Sequence, residues 1–248
     1  MSYEFKRIEG VEKNEGKGAK VIRLFPTEKY NNHHDPFILM DEFFVSPPNS
    51  FPSHEHRGFE AITYIIEGSF VHEDNLGNIK EVGPGGVQAF NAGKSIIHSE
   101  TPGGKERSHG IQLWVNLPSS DKNSDPEYQQ LNAEDVNISK SDEITVRTIA
   151  GNNSNLKLHT DISFKDISIT ASTKYFFEIT DKYVGIIYLI KGNLVNLSNH
   201  ETLLKPGEGL LIEKDTRISF SAESKSRFIE IKGRPHGNKI KIKGTFVE

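Results

Sequence analysis

Tyr64-Ile-Ile-Glu-Gly68 returns 124 residues later as Tyr188-Leu-Ile-Lys-Gly192, and Pro84-Gly85 returns at an offset of 122 as Pro206-Gly207. In each copy a run of large apolar residues stops at glycine, a second strand-like run follows, and a Pro-Gly turn leads into a third. A pattern met twice in this order marks a duplicated unit. Around these copies lie short runs rich in β-branched and aromatic residues: Ala61–Ile66, Val87–Phe90, Ile111–Val115, Ile144–Ala150, Val184–Ile190 and Arg227–Lys232. Gly, Pro, Asn and Asp clusters separate them, which is the pattern of an all-β sandwich or barrel. Long amphipathic helices are missing. The best helical candidate is Pro126–Leu131, in a polar stretch.

That stretch, Leu117 to Glu143, contains Ser-Ser-Asp-Lys-Asn-Ser-Asp and Asn-Ile-Ser-Lys-Ser-Asp-Glu with little apolar periodicity, so it reads as a linker near the midpoint of the 248 residues. The expected organisation is a β-barrel over residues 1–120, a linker over 121–143 and a second barrel over 144–248.

Two histidine-bearing segments in the first half carry the chemistry. His54-Glu-His56 and His98-Ser-Glu100 are both i,i+2 pairs. On a strand the members of such a pair share a face and stand roughly 6–7 Å apart. Two such strands side by side bring three imidazoles and a carboxylate to one point, a mononuclear transition-metal site. Three nitrogens and one oxygen suit Fe(II), Mn, Cu, Ni, Co or Zn, whereas Ca and Mg want mostly oxygen. Carried across by the repeat offsets, His54 and His56 fall on Glu178 and Thr180, while His98 and Glu100 fall on Phe220 and Ala222. Metal is therefore expected only in the N-terminal barrel. His33, His34, His72, His109, His159, His200 and His236 read as surface or hydrogen-bonded residues.

Composition narrows the function classes. Thirty basic residues against 34 acidic give a formal net charge of −4, and the basic residues are scattered, so no direct nucleic-acid partner is expected. Lys239, Lys241 and Lys243 form a short alternating run that reads as the solvated face of a strand. No stretch is long and apolar enough to cross a bilayer, and Met1-Ser-Tyr-Glu-Phe-Lys6 has no apolar leader core; a soluble cytoplasmic protein with no membrane contact is expected. There is no cysteine, which rules out disulfides and a thiol nucleophile.

His54-Glu-His56-Arg-Gly-Phe-Glu60, Asp35-Pro-Phe-Ile-Leu-Met-Asp-Glu-Phe43, Gly93-Lys-Ser-Ile-Ile-His98-Ser-Glu100 and His109-Gly-Ile-Gln-Leu-Trp-Val-Asn-Leu117 together resemble the pirins, which are bicupins of the cupin superfamily. The match is dense from about Pro36 to Leu131 and thin afterwards. It implies two cupin-type, jelly-roll-like barrels in one chain. It also implies one divalent metal, usually iron, on His54, His56, His98 and Glu100. Glu60 belongs to the general cupin pattern, where that position commonly ligates; pirins use the later Glu, so a structural or hydrogen-bonding role is expected for Glu60. Gln112 and Trp114 share one face of a strand after the site, where Gln112 either lines the cavity or is a satisfied core residue and Trp114 is expected in the core. Many pirins continue past the point at which Lys243-Gly-Thr-Phe-Val-Glu248 ends.

The resemblance implies two functions of different kinds. The first is a metal-dependent dioxygenase acting on a flavonol such as quercetin. There Glu100 would take the 3-hydroxyl proton, both atoms of dioxygen would enter the product, and carbon monoxide would leave. The second is a binding module whose metal state tunes a surface for a protein partner, as in a transcriptional or metabolic co-regulator.

Overall fold

A computed structural model of the chain describes residues 5–30 and 33–248; Met1–Glu4, part of the segment read above for a leader, lie outside it. Among the described residues the secondary structure is strand apart from one 3-10 turn, Ala133–Asp135, so the all-β expectation holds. The six runs picked out from sequence all lie in strands, for instance Phe59–Glu67, Ser108–Asn116 and Ile144–Ala150. Pro126–Leu131 is not helical. Glu127–Leu131 is an edge strand paired antiparallel with Val87–Asn91, and its two glutamines bond laterally to Lys157 O and Glu81 O.

Two compact units make up the chain, and neither is a continuous half. One comprises residues 11–136, 155–160 and 236–248; the other comprises 1–10, 137–154 and 161–235. The expected contiguous division at 120 and 143 therefore differs from the observed one. The segment expected to be a linker holds strands of both units, Glu127–Leu131 in the first and Asn137–Lys140 in the second.

Sheet order explains the interleaving. The first unit has a seven-stranded sheet that runs Glu127–Leu131, Val87–Asn91, Phe59–Glu67, Ser108–Asn116, Phe37–Val45, Ala19–Phe25 and Val11–Glu15. In the second unit the seven-stranded sheet runs Phe5–Glu9, Glu208–Ile212, Val184–Lys191, Ser226–Gly233, Ile162–Ile169, Ile144–Ala150 and Asn137–Lys140. Each unit adds a four-stranded sheet. Phe5–Glu9 and Glu127–Leu131 occupy the same edge position, 122 residues apart, so the two repeats have exchanged their opening strands. Because an edge strand needs only backbone pairing on one side, its apolar pattern is weak and nothing local announces its partner.

Each unit has its own core. In the second, Ile167, Phe177, Ile187, Leu189, Leu210, Phe220, Ala222 and Phe228 belong to one buried cluster. Phe220 and Ala222, at the positions equivalent to His98 and Glu100, are therefore apolar packing residues. In the first unit Ile38, Phe59, Ala61, Phe90, Ala92, Ile96 and Val247 cluster, with Trp114, Tyr128 and Ile242 packed against them. The C-terminal hairpin, Ile242–Lys243 with Phe246–Val247, is thus part of this unit's core. Gly58 permits its approach: φ is +76° and a Cβ there would stand 2.0 Å from Val247 O. Only glycine meets both demands.

Candidate metal centre

The site grows out of one ladder in the four-stranded sheet of the first unit. Phe51–His56 pairs antiparallel with Ile96–Pro102, placing His98 opposite His54 and Ile96 opposite His56. Strand alternation then turns His54, His56 and His98 to one face. A bulge between His98 and Glu100 sets Glu100 opposite Phe51. On its other edge Ile96–Pro102 pairs with Phe70–Asp74, so that His98 faces Asp74 and Glu100 faces His72.

His54, His56 and His98 present ligand atoms that all lie within 4.8 Å of one another. Nε2 of His98 is 3.2 Å from Nε2 of His54. Ring centroids are 4.4 Å apart for His54 and His56 and 5.0 Å for His56 and His98. Glu100 is buried beside them, and its carboxylate lies within 4.8 Å of ring nitrogens of His72 and His98. The four residues expected at one point, joined by His72, therefore form two overlapping triads that share His98.

Glu100 is held by three donors. Gln88 Nε2 and the Thr63 hydroxyl donate to Oε1 at 2.7 and 3.3 Å, and Gln112 Nε2 donates to Oε2 at 3.1 Å. The indole N–H of Trp114 donates to Gln112 Oε1 at 3.2 Å, which orients the glutamine amide. Gln112 is thus a cavity residue acting on Glu100, and Trp114 lines the same cavity while stacking on Phe59 at 4.3 Å. Thr63 and Gln88 were not legible as site residues, since a polar side chain on a buried strand carries no signal of where its partner will be.

The donor set fits a divalent transition ion on hydrogen-bond logic alone. His54 Nδ1 lies 2.7 Å from Pro52 O and His56 Nδ1 lies 3.4 Å from Thr245 O. A carbonyl oxygen only accepts, so both Nδ1 atoms carry hydrogen and both Nε2 atoms keep their lone pairs. Burial, reinforced by repulsion from His54, pushes His56 down to about 3. Burial and the neighbouring His56, His54 and His72 hold His98 well below the ordinary histidine value. Neutral imidazole is the metal-binding form.

A pH dependence follows for the metal-free protein. The folded-state pKa of His56, about 3, lies below its unfolded value, so the unfolded chain binds the extra proton. Stability from this group is complete above about pH 6.5 and is lost as pH falls toward about 3, at up to about 1.4 kcal/mol per pH unit. Urea unfolding of metal-free protein at pH 7.5, 6 and 4.5 should show this decline, with His98 acting in the same direction. A stability that stays flat across that range would contradict the burial of neutral imidazoles.

The remaining histidines divide. His109 stacks on Phe44 at 4.5 Å and its Nε2 meets Glu42 at 2.7 Å, a packing role. Glu60 accepts the backbone N–H groups of His159 and Thr160 at 2.9 and 3.2 Å, so it serves structure. His72 is hydrogen-bonded, within the reading made from sequence, and one of its partners is His98. It is fully buried, its Nε2 lies 2.9 Å from Asp74 Oδ2, and its Nδ1 lies 3.3 Å from His98 Nδ1. Burial would raise the Asp74 carboxyl, but hydrogen bonds from Asn78, His72 and Leu76 hold it below the usual range.

A cavity of about 530 Å³ opens beside the imidazoles. Ile38, Leu39, Phe51, Trp114 and Ile242 give it apolar walls; His54, His56, Glu100 and Gln112 supply polar groups, as does Arg23 in a fork on Asp41 at 2.9 and 2.8 Å. Its size lies within the ~300–1,000 Å³ of small-molecule sites.

Known proteins resemble this chain over most of its length. The Pirin family profile matches residues 18–115. A pirin-like protein of Solanum lycopersicum is 33% identical over 255 residues, covering 98% of this chain and 85% of the relative. Homo sapiens pirin is 35% identical over 251 residues, covering 95% and 84%. Among solved structures, a quercetin 2,3-dioxygenase from Acinetobacter baumannii superposes with a TM-score of 0.87 at 23% identity, over 98% of this chain and 90% of that one. The bacterial pirin YhhW from Escherichia coli, in complex with nickel(II), gives 0.77 at 21% identity, over 93% and 99%. Those two likenesses speak for the cupin fold. No helix among the described residues is long and apolar enough to cross a membrane. On the strength of relatives matched over nearly its whole length, the chain belongs to the pirin family.

Proposed function

We infer that this chain is a metal-dependent dioxygenase that opens the central ring of a flavonol of the quercetin type. The observation that carries this reading is the convergence of the imidazoles of His54, His56 and His98, with ligand nitrogens within 4.8 Å of one another, beside a buried carboxyl group and at the edge of a cavity of substrate size. His54, His56 and His98 would hold the ion, with Glu100 turning toward it as the fourth ligand or facing the substrate. Fe(II) is the expected ion, on the family resemblance; Cu, Mn, Ni or Co would serve. When bound, the ion supplies an open position for substrate and a redox partner for dioxygen.

The residues of the chain do the rest. Glu100 accepts the proton of the flavonol 3-hydroxyl, making the ring electron-rich. Gln88, Thr63 and Gln112 aim its two oxygens, so little reorganisation is needed when the proton arrives. Leu39, Phe51 and Trp114 offer apolar surface for a flat aromatic ligand, and Arg23 offers a polar contact at the cavity wall. One flavonol and one dioxygen would yield a ring-opened ester containing both oxygen atoms, plus carbon monoxide.

The likeness in fold to a protein named quercetin 2,3-dioxygenase supports the substrate class. Protein loaded with Fe(II) or Cu(II) should consume dioxygen with quercetin and release carbon monoxide in equal amounts, while zinc-loaded protein should do neither, because zinc does not change redox state. If no flavonol of a panel is consumed by any loaded form, the reading fails, and the metal-dependent binding module becomes the better account.

A further inference from the structure

His98 stands between two histidines. Its Nε2 faces Nε2 of His54 at 3.2 Å, and its Nδ1 faces Nδ1 of His72 at 3.3 Å. Behind His72 lies Asp74, 2.9 Å from His72 Nε2. His72 and His98 are 0% and 2% exposed, so their ring nitrogens depend on protein partners rather than bulk water. The three side chains form a line, and where the protons sit along it decides which nitrogen of His98 has a free lone pair.

Asp74 fixes the order. Its Oδ1 accepts from the backbone N–H groups of Leu76 and Asn78 at 2.9 and 3.1 Å and from the Asn78 amide at 3.0 Å; its Oδ2 accepts from that amide at 2.8 Å and faces His72. A carboxylate has no hydrogen to give, so His72 Nε2 must donate to it. Neutral His72 then has a bare Nδ1, and the bond to His98 forms only if His98 Nδ1 carries the hydrogen. His98 Nε2 is left with its lone pair directed at that of His54 Nε2, 3.2 Å away, a contact that holds no hydrogen and calls for a cation between the two nitrogens.

At His54 and His56 the same tautomer is imposed by backbone carbonyls, Pro52 O and Thr245 O. Among the described residues no carbonyl does this at His98. We propose that the His72–Asp74 pair is a positioning relay that sets the tautomer of His98 and so completes the ion-binding face. The proposal rests on the reading of His54, His56 and His98 as ligands, and goes beyond it by assigning a task to two residues outside that set.

The alternative use of His72 is as a ligand, since His72, His98 and Glu100 also lie within 4.8 Å. The surroundings oppose it. Tyr128 stacks on the His72 ring at 4.5 Å, and Asp74 holds one ring nitrogen.

Asp74→Asn in the full chain is the decisive variant. Leu76 and Asn78 still require an acceptor at Oδ1, so the new NH2 group takes the place of Oδ2 and points a donor at His72 Nε2. His72 must then move its hydrogen to Nδ1 and donate to His98, which pushes the His98 hydrogen onto Nε2. Long-range nitrogen–proton NMR on metal-free protein should find His98 protonated at Nδ1 in the parent and at Nε2 in the variant. Zinc affinity, measured by chelator competition, should fall roughly ten- to a hundredfold. His72→Phe, which keeps a ring against Tyr128 and removes the acceptor, should weaken zinc binding similarly; it carries the test alone if Asp74→Asn fails to fold. Unchanged His98 tautomer together with zinc affinity within about twofold of the parent would overturn the relay. So would two zinc ions per chain with His72→Phe losing only one, which would make His72 a ligand. None of these readouts uses a flavonol, so failure of the relay and failure of the dioxygenase reading are separable.

Discussion

His98→Ala is expected to reduce bound metal to background, with a greater loss of affinity than the roughly ten- to hundredfold attached to an outer partner. His98 is the residue common to both triads, and it pairs on the ladder with His54 on one side and Asp74 on the other. Alanine removes the nitrogen that faces His54 and leaves His54 and His56 as a two-nitrogen remnant. The fold should tolerate the change, because the pairing of Ile96–Pro102 with its two neighbours is made by backbone groups. Elemental analysis of parent and variant purified without chelator, with circular dichroism to confirm folding, checks the expectation. Parent-like stoichiometry in a folded His98→Ala protein would remove the basis for the site.

Glu100→Gln is expected to lower turnover of a flavonol by roughly two to four orders of magnitude through loss of the base. Glutamine keeps the size and one acceptor oxygen, which can still serve Gln88 and Thr63. Its NH2 group would then face the Gln112 amide. Gln112 can answer only by turning its own oxygen inward, which breaks its bond to the Trp114 indole. A modest stability cost of about 1–3 kcal/mol follows for the group left unsatisfied. Single-turnover kinetics on samples of matched metal content separates loss of the base from loss of the ion. A turnover within a few-fold of the parent would exclude Glu100 as the base.

Strand-spaced pairs were readable because the spacing of His54-Glu-His56 and His98-Ser-Glu100 already fixes the face on which each member lies. What that spacing does not contain is which strands become neighbours. The pairing of Ile96–Pro102 with Phe51–His56 brings His54 and His98 together, and its pairing with Phe70–Asp74 brings in His72. His72-Glu-Asp74 has the same i,i+2 form as the other two, and that form was the signal available for it. The irregularity of that ladder was not legible: three steps from His54 to Phe51 stand opposite two from His98 to Glu100, while the pairing of His98–Pro102 with Phe70–Asp74 runs unbroken.

The duplication was visible in Tyr64–Gly68 and Tyr188–Gly192 because these are central strands, buried on both faces and so strongly patterned. The exchange of opening strands was not. Phe5–Glu9 and Glu127–Leu131 are edge strands with mixed burial, and their partners lie far away in sequence. Pro126–Leu131 passed for helix for the same reason: Tyr128 and Leu131 fall at helical spacing, and two glutamines between them carry no period of their own.

The central claim is that one ion sits among His54, His56 and His98. Anomalous diffraction from crystals of iron- or zinc-loaded protein, collected on both sides of the metal edge, tests it most directly. The account predicts a single strong peak per chain, within about 2.0–2.2 Å of three imidazole Nε2 atoms, with His72 bonded to His98 Nδ1 and to Asp74. A peak between His72, His98 and Glu100, or no ordered ion in this unit at full metal loading, would contradict it.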